Sequence, residues 1–286
     1  MIQDSLKRIF RPLVPRQLRP RLKALFYSGL RAYYAGDRYL CPVCGTHLRK
    51  FVPYGYKFPV LKEKEVVGVG EYPNGQCPIC GALDRVRLLY LYLLHKTDVF
   101  RTPRKILHVA PETRIGNRIR RVARVNYLTA DLDPEGVMVK MDITDIQYPE
   151  NSFDVIICNH VLEHVADDQK AMRELCRTLK PGGWAILQVP ISLALTKTYE
   201  DPSITTRAGR EQAFGQWDHV RIHARDYKDR LERAGFKVNI FQWTTEIERF
   251  GTERNVFGLN EKEAVYHVKK PEHAVDRSDD KSGKIS

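Results

Sequence analysis

The sequence lacks any long apolar run. No uninterrupted hydrophobic stretch approaches the roughly 18 to 20 residues that a helix needs to cross a bilayer, and the stretch "WAILQVPISLAL" is interrupted by Gln188 and Pro190. The N-terminus also lacks an apolar segment followed by a small-residue cleavage site. Both absences predict a cytoplasmic protein. The content of 43% hydrophobic and 29% charged residues is typical of a soluble globular chain.

Acidic residues are scarce in the first forty positions. Residues 1–40 contain nine Lys or Arg against two Asp, so +7 of the net charge of +12 lies there. Such a basic arm attracts polyanions, either RNA or the anionic inner face of a membrane, although a solvated tail is the alternative. Pro20 suits the first turn of a helix over residues 21–34. The apolar face of this helix could dock on the protein, lie on a membrane or meet a partner, and it consists of Leu22, Leu25, Phe26, Leu30 and Tyr33.

Cysteine is also scarce, with six residues in all, yet four of them form two matching turns, "CPVCG" and "CPICG". Thiolates from two such turns can converge on Zn²⁺ at about 2.3 Å per bond, so the predicted metal ligands are Cys41, Cys44, Cys77 and Cys80. A redox dithiol or a disulfide framework is the alternative, disfavoured by the duplication and by the cytoplasmic prediction. Four thiolates leave no coordination position for catalysis, so the zinc would be structural.

The cysteine turns divide the chain into predicted parts. Residues 41–81 form a zinc ribbon with strands over 47–54 and 64–72, and residues 82–104 contain a linking helix. The main domain follows over 105–270. The last part, 271–286, has no aromatic residue, is mostly polar and is predicted to be disordered.

Glycine is missing from the turn that follows the first strand of the main domain. Residues 106–110 are an apolar run typical of a buried strand, residues 115–123 have helical spacing, and the next strand ends at Asp131. In parallel α/β domains, an acid about 20 residues after the first turn accepts hydrogen bonds from ribose hydroxyls. A nucleoside site is therefore predicted, although the usual glycines of its turn are absent.

Strands and helices continue to alternate after Asp131, which predicts a doubly wound parallel sheet with ligands at the carboxyl ends of its strands. The run "ENSFDVIICNHVLEHVADDQKAMRELCRTLKPGGWAILQVP" and the segment "DHVRIHARDYKDRLERAGFKV" at 218–238 resemble class I S-adenosylmethionine-dependent methyltransferases. The resemblance covers about 105–270. It implies an α/β, Rossmann-like sheet with helices on both faces, beside the small zinc ribbon, and S-adenosyl-L-methionine as cofactor.

The resemblance also implies the cofactor-binding residues. Asp131, with Leu132 beside it, matches the acid that holds the cofactor ribose. Asp142 and Ile143 match the position at the adenine edge, and Asn159 ends the strand that faces the methionine part. Simple capping of strand-to-helix turns is the alternative role for both aspartates.

The first turn departs from the family pattern of an acid and three alternating glycines. This chain has His108, Ala110, Glu112 and Arg114 there, with Gly116 further on. Glycine lets the backbone approach the cofactor closely. Either Glu112 contacts the cationic cofactor through its side chain or the site is weakened, and the otherwise complete framework favours the first.

Histidines supply the candidate catalytic groups. In-line alignment accounts for most of methyl transfer, but an oxygen or nitrogen acceptor can need a base, and His suits that role. We predict His219 as base or substrate contact, Asp218 as its orienting residue, and Arg221 as the group that binds an anionic or polar acceptor. His164 is a second candidate, or only a packing residue. A metal site of Asp218, His219 and His223, with both histidines on one helix face, is the alternative.

The acceptor is predicted from weaker signals. Residues 193–216 lack regular periodicity and are typical of a lid. The "DHVR" and "EDP" segments resemble enzymes of surface polysaccharide assembly, which implies O-methylation of a sugar, glycan or related small molecule.

Two other functions stay open. Four-cysteine knuckles also precede the domain of an rRNA guanine methyltransferase family, and arginines between 114 and 124 add basic surface, but no Asn-Pro-Pro-Tyr motif is present. The second open function is that of a non-catalytic binding module on a degenerate methyltransferase fold. No feature of the sequence predicts an oligomeric state.

Overall fold

The structure is a computed structural model that describes residues 19–122, 125–251 and 253–272. Predictions for residues 1–18 and for 273–286 lie outside the described residues. The helices are α1 (Arg19–Tyr34), α2 (Pro59–Glu63), α3 (Asp84–Lys96), α4 (Thr113–Ile119), α5 (Asp168–Thr178), α6 (Arg207–Phe214), α7 (Tyr227–Arg233) and α8 (Ile247–Phe250). The strands are β1 (Tyr39–Cys41), β2 (Thr46–Leu48), β3 (Val52–Tyr54), β4 (Val66–Val67), β5 (Tyr72–Gln76), β6 (Lys105–Val109), β7 (Asn126–Asp131), β8 (Val139–Lys140), β9 (Phe153–Asn159), β10 (Leu179–Gln188), β11 (Ile191–Ser192), β12 (Tyr199–Glu200), β13 (Arg221–Ile222), β14 (Lys237–Gln242) and β15 (Ala264–Lys269).

The main domain is built on a seven-stranded sheet with the order β14-β15-β10-β9-β6-β7-β8. Strands β6 to β10 pair in parallel, whereas β15 is antiparallel to both β10 and β14. From β6 the chain runs outward through β7 to β8 and then crosses back to β9. The reversal opens a crevice between the carboxyl ends of β6 and β9, which is where ligands bind in sheets of this kind.

Alternating side chains of the buried strands divide the core into two layers. Ile106 and Val155 pack with α3 and α4 on one face of the sheet. Leu107 and Ile156 pack with α5 and α7 on the other. Helices therefore cover both faces, and the predicted α/β, Rossmann-like fold is confirmed.

The cysteine-containing part is less separate from the main domain than predicted. Strands β1 and β2 pair, and so do β3 and β5. The prediction of a single ribbon strand over 64–72 is wrong, because its first half provides β4, which pairs with β11 of the main domain. Its remaining residues lead into β5.

Arg87 on α3 fixes the two parts to each other. Its side chain is fully buried, and its guanidinium donates to the carbonyls of Asn74, Ala82, Phe257 and Gly258. It therefore joins the ribbon to the loop that precedes β15. No sequence pattern indicates this role, because arginine in an amphipathic helix is usually exposed.

The N-terminal helix α1 docks only through its end. Tyr34 is buried and Leu30 half-buried against the ribbon, whereas Leu22, Leu25 and Phe26 are exposed. The C-terminal end of α1 thus docks on the ribbon, as one of the predicted alternatives has it. The apolar face of its N-terminal half is exposed. In the part of the chain that the structure describes, no helix has the length and apolar character to cross a membrane.

Candidate active site and metal centre

The turn after β6 forms one wall of the crevice. Ala110 has a φ of +45°, in the left-handed region that favours glycine. Its N–H donates to the carbonyl of Ala130 at 2.8 Å, which holds the turn against β7. Glu112 then serves as the residue before the first turn of α4. The chain thus makes the glycine-type turn without glycine.

The Glu112 carboxylate is anchored on both oxygens. Its Oε2 lies 2.7 Å from Nε2 of His108, and its Oε1 accepts from Nδ2 of Asn159 at 3.1 Å. On the other side of the imidazole, Nδ1 of His108 lies 2.8 Å from the Tyr127 hydroxyl. Burial opposes ionisation of Glu112, but His108, the Asn159 amide and a backbone N–H together lower the pKa of the carboxyl. Glu112 is therefore a carboxylate at neutral pH.

Asn159 supplies the observation that tests whether a cationic ligand fits. Its side chain is buried at the end of β9, and its Oδ1 has no hydrogen-bond partner among the described residues. A buried acceptor without a donor is costly. An unpaired amide oxygen beside a carboxylate suits a ligand with an ammonium group, which the methionine part of S-adenosylmethionine carries.

The residues predicted to bind the adenosine part lie at and after the ends of β7 and β8. Asp131 is half-buried, and its Oδ1 accepts from the N–H of Asp133 at 3.2 Å, while Leu132 is exposed. Asp142 is exposed and accepts from N–H and Oγ1 of Thr144, both at 2.8 Å. Both aspartates thus have the predicted capping contact, which leaves their cofactor role a prediction.

Ile143 and Leu132 have opposite environments. Ile143 is buried within the main core, so its side chain contributes to the fold rather than to a ligand surface. Leu132 is 63% exposed directly after the ribose-binding candidate Asp131. Of the two predicted apolar contacts, only Leu132 has a side chain available to a bound nucleoside.

A second polar cluster follows β9. His160 has a φ of +55°, and its Nδ1 lies 3.3 Å from Oε1 of Glu163. Nε2 of His160 and Oε2 of Glu163 are buried without a partner among the described residues. Burial raises the pKa of Glu163 to about 8 and lowers the pKa of His160 well below its usual value. Neither residue was selected from the sequence as a site residue.

The predicted pairing of Asp218 with His219 is wrong. Oδ2 and the carbonyl oxygen of Asp218 both lie 3.3 Å from Nδ1 of His164. His219 instead packs edge-on against His164, with ring centroids 4.7 Å apart. Burial, aided by His164, lowers the pKa of His219 to about 3. His219 is therefore neutral at physiological pH and a weak base.

Arg221 is not available to bind an acceptor, contrary to the prediction. Its guanidinium is buried and donates to Oε2 of Glu200 at 2.9 Å. Its remaining donors are used by the backbone carbonyls of Leu162, Val165 and Ala166. Arg221 therefore fixes the loop that carries Glu163 and His164.

The alternative metal set with His223 is also wrong. Residues 221–222 form a strand, so His219 and His223 do not share a helix face. His223 is fully buried beside the Tyr227 ring, and its Nε2 is 3.9 Å from Oδ2 of Asp168.

A cavity of about 650 Å³ lies beside the polar cluster of His160 and Glu163. Its walls come from residues 54–71, from Asp84 and Arg85, and from Asn260 and Lys262. Gly68 separates it from the buried cluster, since a Cβ atom there would lie 3.3 Å from Cε1 of His160. No local sequence signal predicts the cavity, because it depends on the long-range pairing of β4 with β11.

The four predicted zinc ligands lie together. The Sγ atoms of Cys41 and Cys80 are 3.7 Å apart, those of Cys44 and Cys77 are 4.0 Å apart, and all four lie within 4.8 Å of one another. Tetrahedral zinc with bonds of about 2.3 Å needs sulfur atoms about 3.8 Å apart. The cluster thus fits a structural zinc ion.

Comparison with known proteins agrees with this geometry. Residues 115–187 match the family model described as "Methyltransferase domain". The ubiquinone/menaquinone biosynthesis C-methyltransferase UbiE of Idiomarina loihiensis is 35% identical over 117 residues, which are 36% of this chain and 47% of that protein. The 27-O-demethylrifamycin SV methyltransferase of Amycolatopsis mediterranei is 27% identical over 158 residues, which are 51% of this chain and 53% of that protein. The chain thus spans about half the length of the curated relatives it matches.

Solved structures include similar proteins as well. A putative methyltransferase of Bacillus halodurans has 15% identity and a TM-score of 0.40, with 64% of this chain and 98% of that chain covered.

The strand order is that of the predicted Rossmann-like sheet. Residues 115–187 match a methyltransferase domain and the curated relatives are methyltransferases, so the predicted resemblance to S-adenosylmethionine-dependent methyltransferases is confirmed.

Proposed function

We propose that this protein transfers the methyl group of S-adenosylmethionine to a hydroxyl group of a sugar or glycan intermediate. The observation that carries the proposal is the cavity of about 650 Å³ beside His160, which directly follows Asn159 and its unpaired oxygen at the end of β9. Cofactor and acceptor sites would then be adjacent, as a direct transfer needs. The bound cofactor supplies an electrophilic methyl group on a sulfonium.

Residues of the crevice would hold the cofactor through complementary charge. Asp131, the last residue of β7, would accept hydrogen bonds from ribose hydroxyls, and Asp142 follows β8 at the same edge of the sheet. The Glu112 carboxylate and Oδ1 of Asn159 would face the positively charged methionine part. Because His108 fixes Glu112, the carboxylate is oriented before the ligand arrives.

The cavity lining favours a polyhydroxylated acceptor with an anionic group. Aromatic side chains and four cationic side chains surround it, and polar groups of this kind fix the orientation of a ligand in a pocket. The cations exceed the acids that accompany them. The aromatic residues are Tyr54, Tyr56 and Phe58, the cations Lys57, Lys62, Arg85 and Lys262, and the acids Glu65, Glu71 and Asp84.

His160 replaces His219 as the candidate that accepts a hydrogen bond from the acceptor hydroxyl. It directly follows Asn159, it contacts the cavity wall at Gly68, and its Nε2 has no partner among the described residues. Its low pKa keeps the ring neutral at physiological pH, so it can accept a hydrogen bond from the hydroxyl.

Radiolabelled methyl transfer tests the proposal directly. The full chain is incubated with methyl-labelled S-adenosylmethionine and nucleotide-linked sugars or anionic oligosaccharides. The proposal expects label in the carbohydrate as a base-stable methyl ether, and turnover reduced about 100-fold or more in His160→Ala. His95→Ala, an exposed histidine, is the control. Label confined to carbon, or to RNA, contradicts O-methylation of a carbohydrate.

RNA methylation is the second candidate function, because the helix after the first turn carries exposed cations. Arg114 and Arg118 on α4, and Arg120 and Arg121 after it, are all exposed. A site that binds phosphates loses affinity steeply as salt rises. RNA binding that weakens between about 50 and 200 mM salt, together with label in RNA, would support this candidate over the first.

We also propose that α1 binds an anionic membrane surface, which would bring the enzyme to a lipid-linked acceptor. Leu25 is 71% exposed, Leu22 and Phe26 are also exposed, and Arg21 lies beside them. Apolar side chains and cations together bind an anionic lipid surface. Flotation with phosphatidylglycerol vesicles should be lost in Leu25→Glu and kept in Ile247→Glu, an exposed position elsewhere; equal flotation of the two contradicts the proposal.

A further inference from the structure

A second set of side chains that could hold a metal ion lies apart from the cysteines, with Glu163 and His219 buried and His164 half-buried. Glu163, His164 and His219 each offer one ligand atom, and these atoms lie within 4.8 Å of one another. Two of the residues belong to the short 3₁₀ helix after β9 and the third to the loop before β13. The set therefore joins distant parts of the chain at the crevice edge.

Both imidazoles have oxygen atoms beside them. Nδ1 of His164 faces the carbonyl oxygen and Oδ2 of Asp218, each at 3.3 Å. The Phe214 carbonyl lies near His219 and acts to raise its pKa, although burial lowers it overall. Histidines that bind metals almost always donate their second ring N–H to a carboxylate or a carbonyl, which fixes the tautomer and the ring orientation. The environment of these two rings has that form.

Glu163 is a carboxyl without an adequate partner. Glu163 is only 1% exposed to solvent, and its Oε2 has no hydrogen-bond partner among the residues described. Arg85 is close enough to act on it electrostatically, but Nη1 of Arg85 donates to the Gly68 carbonyl at 2.7 Å. A buried carboxyl of this kind needs a cation or strong donors. A bound cation would satisfy it.

We propose that Glu163, His164 and His219 bind a divalent first-row transition-metal cation, separate from the structural zinc. Two imidazoles and one carboxylate form a ligand set that such cations use with coordination positions left open. The open positions would be filled by water or by an oxygen of the acceptor. That last role rests on the proposed function, whereas binding of the cation does not.

Mn²⁺ is the probe, because it prefers oxygen and nitrogen ligands over the thiolates of the ribbon. Zinc-loaded full-length protein is titrated with Mn²⁺ and the free ion is followed by electron paramagnetic resonance. The wild type should bind one ion per chain. Glu163→Gln and His219→Asn should each bind it about tenfold more weakly or worse. His95→Asn, which removes an exposed histidine, should bind as the wild type does.

A second measurement uses the wild type alone and does not depend on the folding of any variant. Electron spin-echo envelope modulation of the bound Mn²⁺ should show coupling to imidazole nitrogen. Absence of binding, or binding without nitrogen coupling, overturns the proposal. So does unchanged affinity in Glu163→Gln or His219→Asn with normal zinc content. Calorimetry with S-adenosylmethionine on the same samples shows separately whether the cofactor site exists.

Discussion

At the scale of single residues, the turn after β6 keeps one carboxylate but carries it at a different position. The resembled family has an acid at the position of His108 and a glycine at that of Glu112. Here the acid lies four residues later and is tied back to the strand by His108. The sequence raised the question of Glu112, but only the structure shows its partners, because they lie on two different strands, His108 on β6 and Asn159 on β9.

Glu112→Gln tests this exchange. The substitution keeps the shape but removes the negative charge, and charge-assisted hydrogen bonds contribute about 1.5 to 3 kcal/mol. Affinity for S-adenosylmethionine should fall at least about tenfold by calorimetry. Glu135→Gln, an exposed acid near the same edge, should bind normally. Equal affinity of Glu112→Gln and wild type would mean that Glu112 serves the fold alone.

Glu263 makes stability depend on pH. Burial, with Asp84 nearby, raises the pKa of its carboxyl from 4.5 to about 8. Between these values the unfolded chain loses the proton and the folded chain retains it. Stability from this group is thus present below pH 4.5 and falls as pH rises toward 8, by at most about 1.4 kcal/mol per unit.

Glu263→Gln should remove that dependence. Urea unfolding at pH 5 and pH 8 should show a smaller loss of stability for the variant than for the wild type. Glu261→Gln, an exposed neighbour, should behave as the wild type does. A wild-type stability that rises from pH 5 to 8 while Glu263→Gln falls would contradict the assignment.

At the scale of elements, the sequence pattern predicted those helices and strands whose contacts are with neighbours in the chain. The unit of β6, α4 and β7 was predicted because its strands and helix follow one another directly in the chain and pair with each other. The segment 64–72 was misassigned because β4 pairs with a strand more than a hundred residues away. Helix α6 was missed inside the predicted lid, although Thr206 caps its start and Gly215 ends it in the left-handed conformation.

The candidate site likewise has residues that the local sequence predicted and contacts that it could not predict. The segments "LEHV" and "DHVR" pointed to His164 and His219, but spacing alone could not show that Asp218 turns toward His164. The sequence did not single out Glu163, which lies in the same segment. Its burial follows from Arg221, whose guanidinium holds the neighbouring backbone.

Gly68→Ala tests the wall between the cavity and the polar cluster. Gly68 has a φ of +94°, and a Cβ there would meet His160 at 3.3 Å and Glu263 at 3.5 Å. Gly136, with a φ of +82° and nothing within 4 Å, is the matched control. Both variants should lose about 1 kcal/mol for the backbone. Only Gly68→Ala should also lose methyl transfer; equal activity in both variants would place the wall outside the site.

At the scale of the whole molecule, the ribbon is packed into the main domain rather than attached to it as a separate module. It supports the segment that forms the cavity, and Leu40 donates to the Val256 carbonyl at 2.8 Å. Arg87 completes the connection. The sequence predicted the zinc ligands and the fold because repeated motifs and regular alternation specify them. It could not predict this interface, which depends on a buried arginine and backbone carbonyls.

Arg87→Met should therefore destabilise both parts together. The substitution leaves four buried carbonyls without their donor, which should cost about 3 kcal/mol or more. Chemical unfolding should show the loss, and zinc should be released at lower denaturant. Arg173→Met, at an exposed position on α5, is the control. Normal zinc retention in a destabilised Arg87→Met protein would argue that the parts unfold independently.

The central claim is that the crevice at the carboxyl ends of β6, β7 and β9 binds S-adenosylmethionine despite its glycine-poor turn. Calorimetric titration of the cofactor into wild type, Asp131→Ala and Asp133→Ala tests it most directly. Binding should be seen in the wild type and in Asp133→Ala, whose side chain is exposed, and should be weakened at least about tenfold in Asp131→Ala. No heat of binding from a zinc-loaded, folded wild type would contradict the account.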